Sequence, residues 1–333
     1  MAFDSVIGHS RLRELLSRAV THRRLPPALL FSGPAGVGKR TLALAAGRAL
    51  LCDRDAGDAC EACPPCRRAG RGLHPDALLV EPDGASIKIE QVREAVREIA
   101  GRPFEGRARV LVFDEAHLLT EQAQNALLKS LEEPPATSHV FLVTASPQAL
   151  LPTIRSRCQM LRFSPLPQSR LETHLRDRCG LSADEARLRA ALSGGSLGVA
   201  LAFESEAWRD LRVELLEILE KLDRAGALGR MDAAERLAEM DDPVLALTAL
   251  RSLLRDVAAL RAGSPALLNA DVAARLEPLA RGPLGERAGE MARATGDTRD
   301  ALDGRITGTN LRRGPANPLL AFDVLMDRMV RPA

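Results

Sequence analysis

Three groups of residues in this chain have types and spacings that could do chemistry. The first is Gly33-Pro34-Ala35-Gly36-Val37-Gly38-Lys39, which fits G-x-x-x-x-G-K. Glycines let backbone amides converge on phosphate oxygens, a following helix N-terminus favours anions, and the lysine adds a point charge. The next position should be Ser or Thr, whose hydroxyl binds Mg²⁺. Here it is Arg40, with Thr41 one place later. A guanidinium only donates hydrogen bonds and cannot ligate a cation. One residue along a helix is about 100° of rotation, so Thr41 should point elsewhere. The expectation is a loop that either holds a nucleotide phosphate or persists as a structural relic, with hydrolysis disfavoured.

The second group is Asp114-Glu115 after the apolar run Arg109-Val110-Leu111-Val112-Phe113. In a working site the Asp positions Mg²⁺ through water and the Glu polarises the attacking water. The pair supports the fold that the loop implies, and activity does not follow from it.

The third group is Cys52, Cys60, Cys63 and Cys66, separated by seven, two and two residues. Four thiolates suit a tetrahedral structural Zn²⁺ and leave no position for a catalytic water. An iron–sulfur cluster and four free thiols are the alternatives. Acidic neighbours Asp53, Asp55, Asp58 and Glu61 argue against anion binding by this module.

The elements that would position these groups are legible from apolar runs. Leu29 to Ser32, Asp76 to Val80, Arg109 to Phe113 and Val140 to Thr144 read as strands. Thr41 to Leu51, Ile89 to Ala100 and Glu121 to Glu133 read as helices, the last stopped by Pro134-Pro135. Such alternation predicts a mostly parallel sheet covered on both faces. Beyond Pro165-Leu166-Pro167 strand-like runs disappear, and Arg170 to Phe203 and then Glu206 to Arg331 read as helical. Trp208 is expected to pack where the larger helical part begins, and His74 and His117 read as ordinary polar residues.

Length and composition set the frame. The 333 residues are enough for two or three domains. A net charge of +2 predicts no bulk attraction to phosphate. Aromatic residues are 3% of the chain, so base stacking is not expected. No run of about 18 apolar residues is present, and the start lacks signal-peptide order. A cytoplasmic location is the expectation, and there clustered cysteines favour metal over disulfides.

Several motifs together resemble the clamp-loader AAA+ subunits of bacterial DNA polymerase III. They are the cysteine module after the phosphate-loop helix, Asn125-Ala126-Leu127-Leu128-Lys129-Ser130-Leu131-Glu132-Glu133-Pro134-Pro135, Ser156-Arg157-Cys158 and the opening Phe3-Asp4-Ser5-Val6-Ile7-Gly8. Specific motifs cover residues 1 to about 205, with Asn317-Pro318-Leu319-Leu320 a weaker match near the end. The resemblance implies an α/β phosphate-loop AAA+ domain with a zinc-module insertion (1–165, module at 52–66), a small helical lid (166–206) and an all-α collar (207–333). It also implies a hetero-oligomer with gamma/tau and delta subunits, acting on the sliding clamp and primed DNA. Within the family, Arg40 and the glycine after Gly195-Ser196-Leu197, Gly198, depart from the gamma/tau motor, which carries Ser or Thr and an arginine there. The departures point to the non-hydrolysing stator type, with Arg157 as an arginine finger in trans; the alternative is a gamma/tau-like ATPase motor. Gly33, Gly36, Gly38, Lys39, Thr41, Asp114 and Glu115 are the nucleotide-site positions in either case. The helix through Asn125 and Lys129 would face DNA or a neighbouring subunit.

Overall fold

Short apolar runs, the central ones buried on both faces, build the first part of the chain. The computed structural model describes residues 2–54, 57–203, 205–240, 242–264, 266–302, 322 and 324–326. Two compact units emerge: Met1–His174 with Gly194–Val199, and Leu175–Ser193 with Ala200–Ala333.

The first unit runs α1 (Ser10–Thr21), β1 (Ala28–Ser32), α2 (Lys39–Leu51), α3 (Pro64–Gly70), β2 (Ala77–Val80), α4 (Ile89–Ile99) and β3 (Arg109–Phe113). It continues with α5 (Glu121–Glu132), β4 (Ser138–Thr144), α6 (Pro152–Arg157) and β5 (Gln159–Arg162), then the start of α7 (Gln168–Cys179), whose residues from Leu175 on belong to the second unit. The strands form one sheet in the order β2-β3-β4-β1-β5. Every pairing is parallel, with Leu30 opposite Leu142 on one side and Met160 on the other. Side chains alternate across a strand, and both sets are buried here. Leu29, Phe31, Val110, Val112, Phe141 and Val143 pack with Leu16 of α1 and Leu42 and Ala46 of α2. Leu30, Leu111, Phe113, Val140 and Leu142 pack with Val92 and Ile99 of α4 and Leu127 of α5. The expected sheet with helices on both faces is therefore present.

The sequence reading identified four of these strands and not β5. Its run Gln-Met-Leu-Arg has only two apolar residues between polar ones, and the strand lies at the sheet edge beside β1. Helix α5 starts where Thr120 Oγ1 accepts the Ala123 N–H at 3.2 Å. It ends before Pro134-Pro135, since the residue before a proline avoids the helical region.

The second unit is all-α among the described residues: α8 (Ala183–Leu192), the end of α9 (Leu197–Ala202), α10 (Ser205–Ala238), α11 (Pro243–Arg261), α12 (Ala273–Arg281) and α13 (Pro283–Leu302). Leu215, Leu219, Leu250, Leu253, Val257, Leu276 and Ala288 share its core with Trp208, whose ring centroid is 4.9 Å from that of Phe203. A buried polar network closes the segment after α11. Asp256 accepts the Leu268 and Asn269 N–H groups, and Arg212 makes a two-pronged pair with Asp271 at 2.7 and 2.6 Å. Asn317 to Leu320 lies outside the described residues. No helix of the described residues is long and apolar enough to cross a membrane.

Candidate functional site

β1 is buried along its whole length and delivers the chain to the phosphate loop at the sheet's C-terminal edge. Gly33 turns the chain at φ 155°, where a Cβ would lie 2.4 Å from the Phe163 carbonyl oxygen, so only glycine fits. Gly36 and Gly38 also take positive φ, and Gly38 caps α2. The loop is braced from two directions. His9 Nε2 donates to the Val37 carbonyl at 3.0 Å, and the Gly198 N–H donates to the Gly36 carbonyl at 3.0 Å. Gly198 approaches so closely that its own Cβ would stand 3.0 Å from the Gly36 Cα. An arginine at position 198 would have no room without moving the loop. His9 carries a role that the sequence reading missed, because no motif marks a histidine that supports a loop from an upstream helix start.

Lys39 opens α2 and is 7% exposed. Its Nζ donates to the Pro34 carbonyl of its own loop at 2.5 Å. Burial pushes its pKa down to about 8, against the raising effect of Asp114 and Glu115.

Arg40 is the feature that sets this loop apart. Its Nη1 lies 2.6 Å from Glu81 Oε1 and 2.9 Å from Asp114 Oδ2. Asp114 follows β3, Glu81 follows β2, and these adjacent parallel strands end side by side. Glu81 was not singled out from the sequence, since only strand pairing brings it to the loop. Asp114 Oδ1 also accepts the Glu115 N–H at 3.0 Å, and Glu115 has φ 47°. Thr41 is exposed, in keeping with its rotation away from the loop. The residues present do not fit Mg²⁺: the hydroxyl ligand is replaced by a cation, and that cation holds the carboxylate that should position the metal.

The cysteines converge as their spacing implied. Cys52 ends α2, Cys63 precedes α3 with Pro64 at its first position, and Cys66 lies in its first turn. Their four Sγ atoms all lie within 4.8 Å of one another. Four bonds of ~2.3 Å to one ion impose a sulfur spacing of about 3.8 Å, so a small contraction closes the set on a metal. N–H groups of Ala62 and Cys63 pull the Cys60 thiol down to about 6, while burial raises Cys66. The four cysteines can hold a metal ion. Asp58, counted from the sequence among the acidic neighbours, is structural: it is buried and accepts the Phe3 and Ala59 N–H groups. Asp55 lies outside the described residues.

Arg157 ends α6 rather than a strand. Its Nη2 lies 2.5 Å from Glu132 Oε1, and Nη1 donates to the Thr153 carbonyl at 3.1 Å. The guanidinium is about one-third exposed, so this is a surface pair that solvent screens. Asn125 and Lys129 are exposed one turn apart on α5. The buried Gln124, next to Asn125, was missed. Its amide donates to the Leu119 and Ala149 carbonyls and accepts the Leu151 N–H at 2.7 Å, which fixes α6 against α5.

Residues 8–167 match the family described as "DNA polymerase III, delta subunit". The chain is 34% identical over 212 residues to DNA polymerase III subunit delta' of Bacillus subtilis (strain 168), covering 64% of each chain. It is 37% identical over 217 residues to the delta' subunit of Pseudomonas aeruginosa, again covering 64% of each. The match to DNA polymerase III subunit tau of Salmonella typhimurium is 33% over 307 residues, 84% of this chain and 47% of that one. The matches thus span a little under two-thirds of the delta' relatives' length. With its phosphate loop after β1, its Asp-Glu pair after β3 and these similarities, the chain resembles the delta' subunit of bacterial DNA polymerase III.

Proposed function

We propose that this chain is a stator of the delta' type in a DNA polymerase III clamp-loader complex. It lacks ATPase activity of its own and supplies Arg157 to the ATP site of a neighbouring gamma/tau subunit. The observation that carries the reading is the Arg40–Asp114 pair at 2.9 Å, which leaves no place for the metal that hydrolysis needs. Gly198, backed against Gly36 where a motor subunit carries an arginine, supports it further. Arg157 suits the trans role because a guanidinium stays charged and its planar fork matches phosphate oxygens. Its present partner, Glu132, is a surface carboxylate that a phosphate can replace at a cost of about 0–1 kcal/mol.

In this reading the four cysteines hold one structural Zn²⁺, which crosslinks the ends of α2 and α3 and supplies no catalysis. Gly33, Gly36, Gly38 and Lys39 keep the loop's shape, and Thr41, Asp114 and Glu115 perform no step. The AAA+ part (1–165), the lid (166–206) and the collar (207–333) act within a cytoplasmic hetero-oligomer with gamma/tau and delta subunits. That assembly supports loading of the sliding clamp onto primed DNA.

Steady-state ATPase of the purified chain, alone and then with gamma/tau, delta, clamp and primed DNA, tests the proposal. The expected result is silence alone and turnover in the mixture. Turnover by the chain alone, abolished by Lys39→Ala, would make it a motor.

A further inference from the structure

We propose that Arg40 is a built-in counter-cation: its guanidinium takes the place of the divalent metal at the phosphate loop, so that anything the loop binds is bound without Mg²⁺. The inference rests on the non-hydrolysing reading above and goes beyond it. A merely damaged site would leave Asp114 free; here the carboxylate is occupied.

Three observations converge. First, Arg40 stands at the position after the loop lysine, where a hydroxyl would ligate the metal, and cannot ligate one itself. Second, its Nη1 is within 3 Å of two carboxylates that arrive on neighbouring strands, Glu81 after β2 at 2.6 Å and Asp114 after β3 at 2.9 Å. Mg²⁺ at such sites is held by one or two carboxylates plus substrate phosphates. The guanidinium meets that carboxylate from the protein side, tethered and always charged. Third, the carboxylates are not equivalent. Asp114 is 14% exposed and Glu81 51% exposed, so the less exposed one, where an unpaired charge would cost more, is the carboxylate that follows β3. Lys39 and Arg40 together then place two cationic side chains beside the loop, of which Arg40 stays charged throughout. Nothing need be recruited from solution to balance Asp114.

Restoring the hydroxyl should reverse the exchange. In Arg40→Thr the side chain becomes a potential ligand, and Asp114 loses its partner and becomes available to a metal. Binding of the fluorescent nucleotide mant-ATP to the full chain is measured in excess Mg²⁺ and in EDTA. For the wild-type chain, whether affinity is weak or undetectable, Mg²⁺ should change it by less than about 2-fold. For Arg40→Thr, Mg²⁺ should tighten binding by about 10-fold or more, the scale on which metal-site partners act. The double variant Arg40→Thr/Asp114→Asn should lose that dependence. Arg40→Ser, which supplies the same hydroxyl with less bulk, serves if Arg40→Thr fails to fold. Mg²⁺-dependent binding by the wild type overturns the inference, as does a folded Thr or Ser variant whose binding stays absent or metal-insensitive. ATP turnover by the wild-type chain alone would overturn the stator reading too. A metal-insensitive Arg40→Thr beside a silent wild type overturns the counter-cation alone.

Discussion

Two side chains at the residue scale show how local chemistry departs from what residue type suggests. Lys39 is held mostly out of water and titrates near 8. An unfolded lysine titrates near ~10.4. Between these values the unfolded chain binds a proton that the folded chain lacks, so stability rises with pH across the window. Below it the folded chain bears the cost of burying the ammonium. Lys39→Met removes this slope. In urea unfolding the wild type should therefore gain on the variant from pH 8 to about 10.4; a constant gap would show that Lys39 titrates normally. Arg157 presents the opposite case, a charge held by a weak surface pair. Arg157→Ala should change stability by less than about 1 kcal/mol. It should lower turnover of the neighbouring ATP site in the reconstituted loader by about 10³-fold, the low end for an arginine finger. Unchanged turnover would remove the finger role.

The informative unit at the element scale is the cysteine module between α2 and β2. It is anchored to the body through carboxylates as well as through its own thiols. Asp58 holds the Phe3 N–H at 3.2 Å, and Arg68 of α3 meets Glu105 Oε1 at 2.6 Å. Glu105 is in turn fixed by its N–H bond to Asp76, which also accepts the Phe104 and Gly106 N–H groups. A structural metal contributes folding energy to the segment it closes. Elemental analysis should find about one zinc per native chain, and Cys60→Ser should reduce it. Removing the metal should speed amide exchange at 57–66 and at Phe3, and leave β1, β3 and β4 protected. A metal-free native protein, or exchange unchanged on chelation, would sink the four-thiolate assignment.

Charge and exposed chemistry limit what the whole molecule does alone. The net charge is +2, and Arg40, Arg68, Arg157, Arg212 and Arg275 each have an acidic partner within 3 Å. A near-balanced net charge gives the phosphate backbone little bulk attraction. The isolated chain should bind duplex DNA no more tightly than the ~10⁻⁶ M end of non-specific affinity at physiological salt. Fluorescence anisotropy with a labelled duplex checks this, and tight, salt-sensitive binding would favour a nucleic-acid binder over a stator. Lys129 and Asn125 are exposed on α5.

The sequence alone determined the phosphate loop, the Asp-Glu pair, the four-cysteine set and four of the five strands. Each rests on short-range spacing or on an apolar run, and such signals are local. It also determined that Arg40 could not ligate a metal, because that follows from side-chain chemistry. Tertiary structure decided where the guanidinium goes instead. Glu81 is 41 residues from Arg40 and Asp114 is 74 away, and only the parallel pairing of β2 with β3 sets the two carboxylates together. The same holds for Gly198 against Gly36, for His9 beneath the loop and for Glu132 holding Arg157. The edge strand β5 also escaped, since Gln159 and Arg162 leave only two apolar residues between them and no run to read. These contacts join segments far apart in the chain, and no local pattern encodes the partner of a side chain that reaches across a fold.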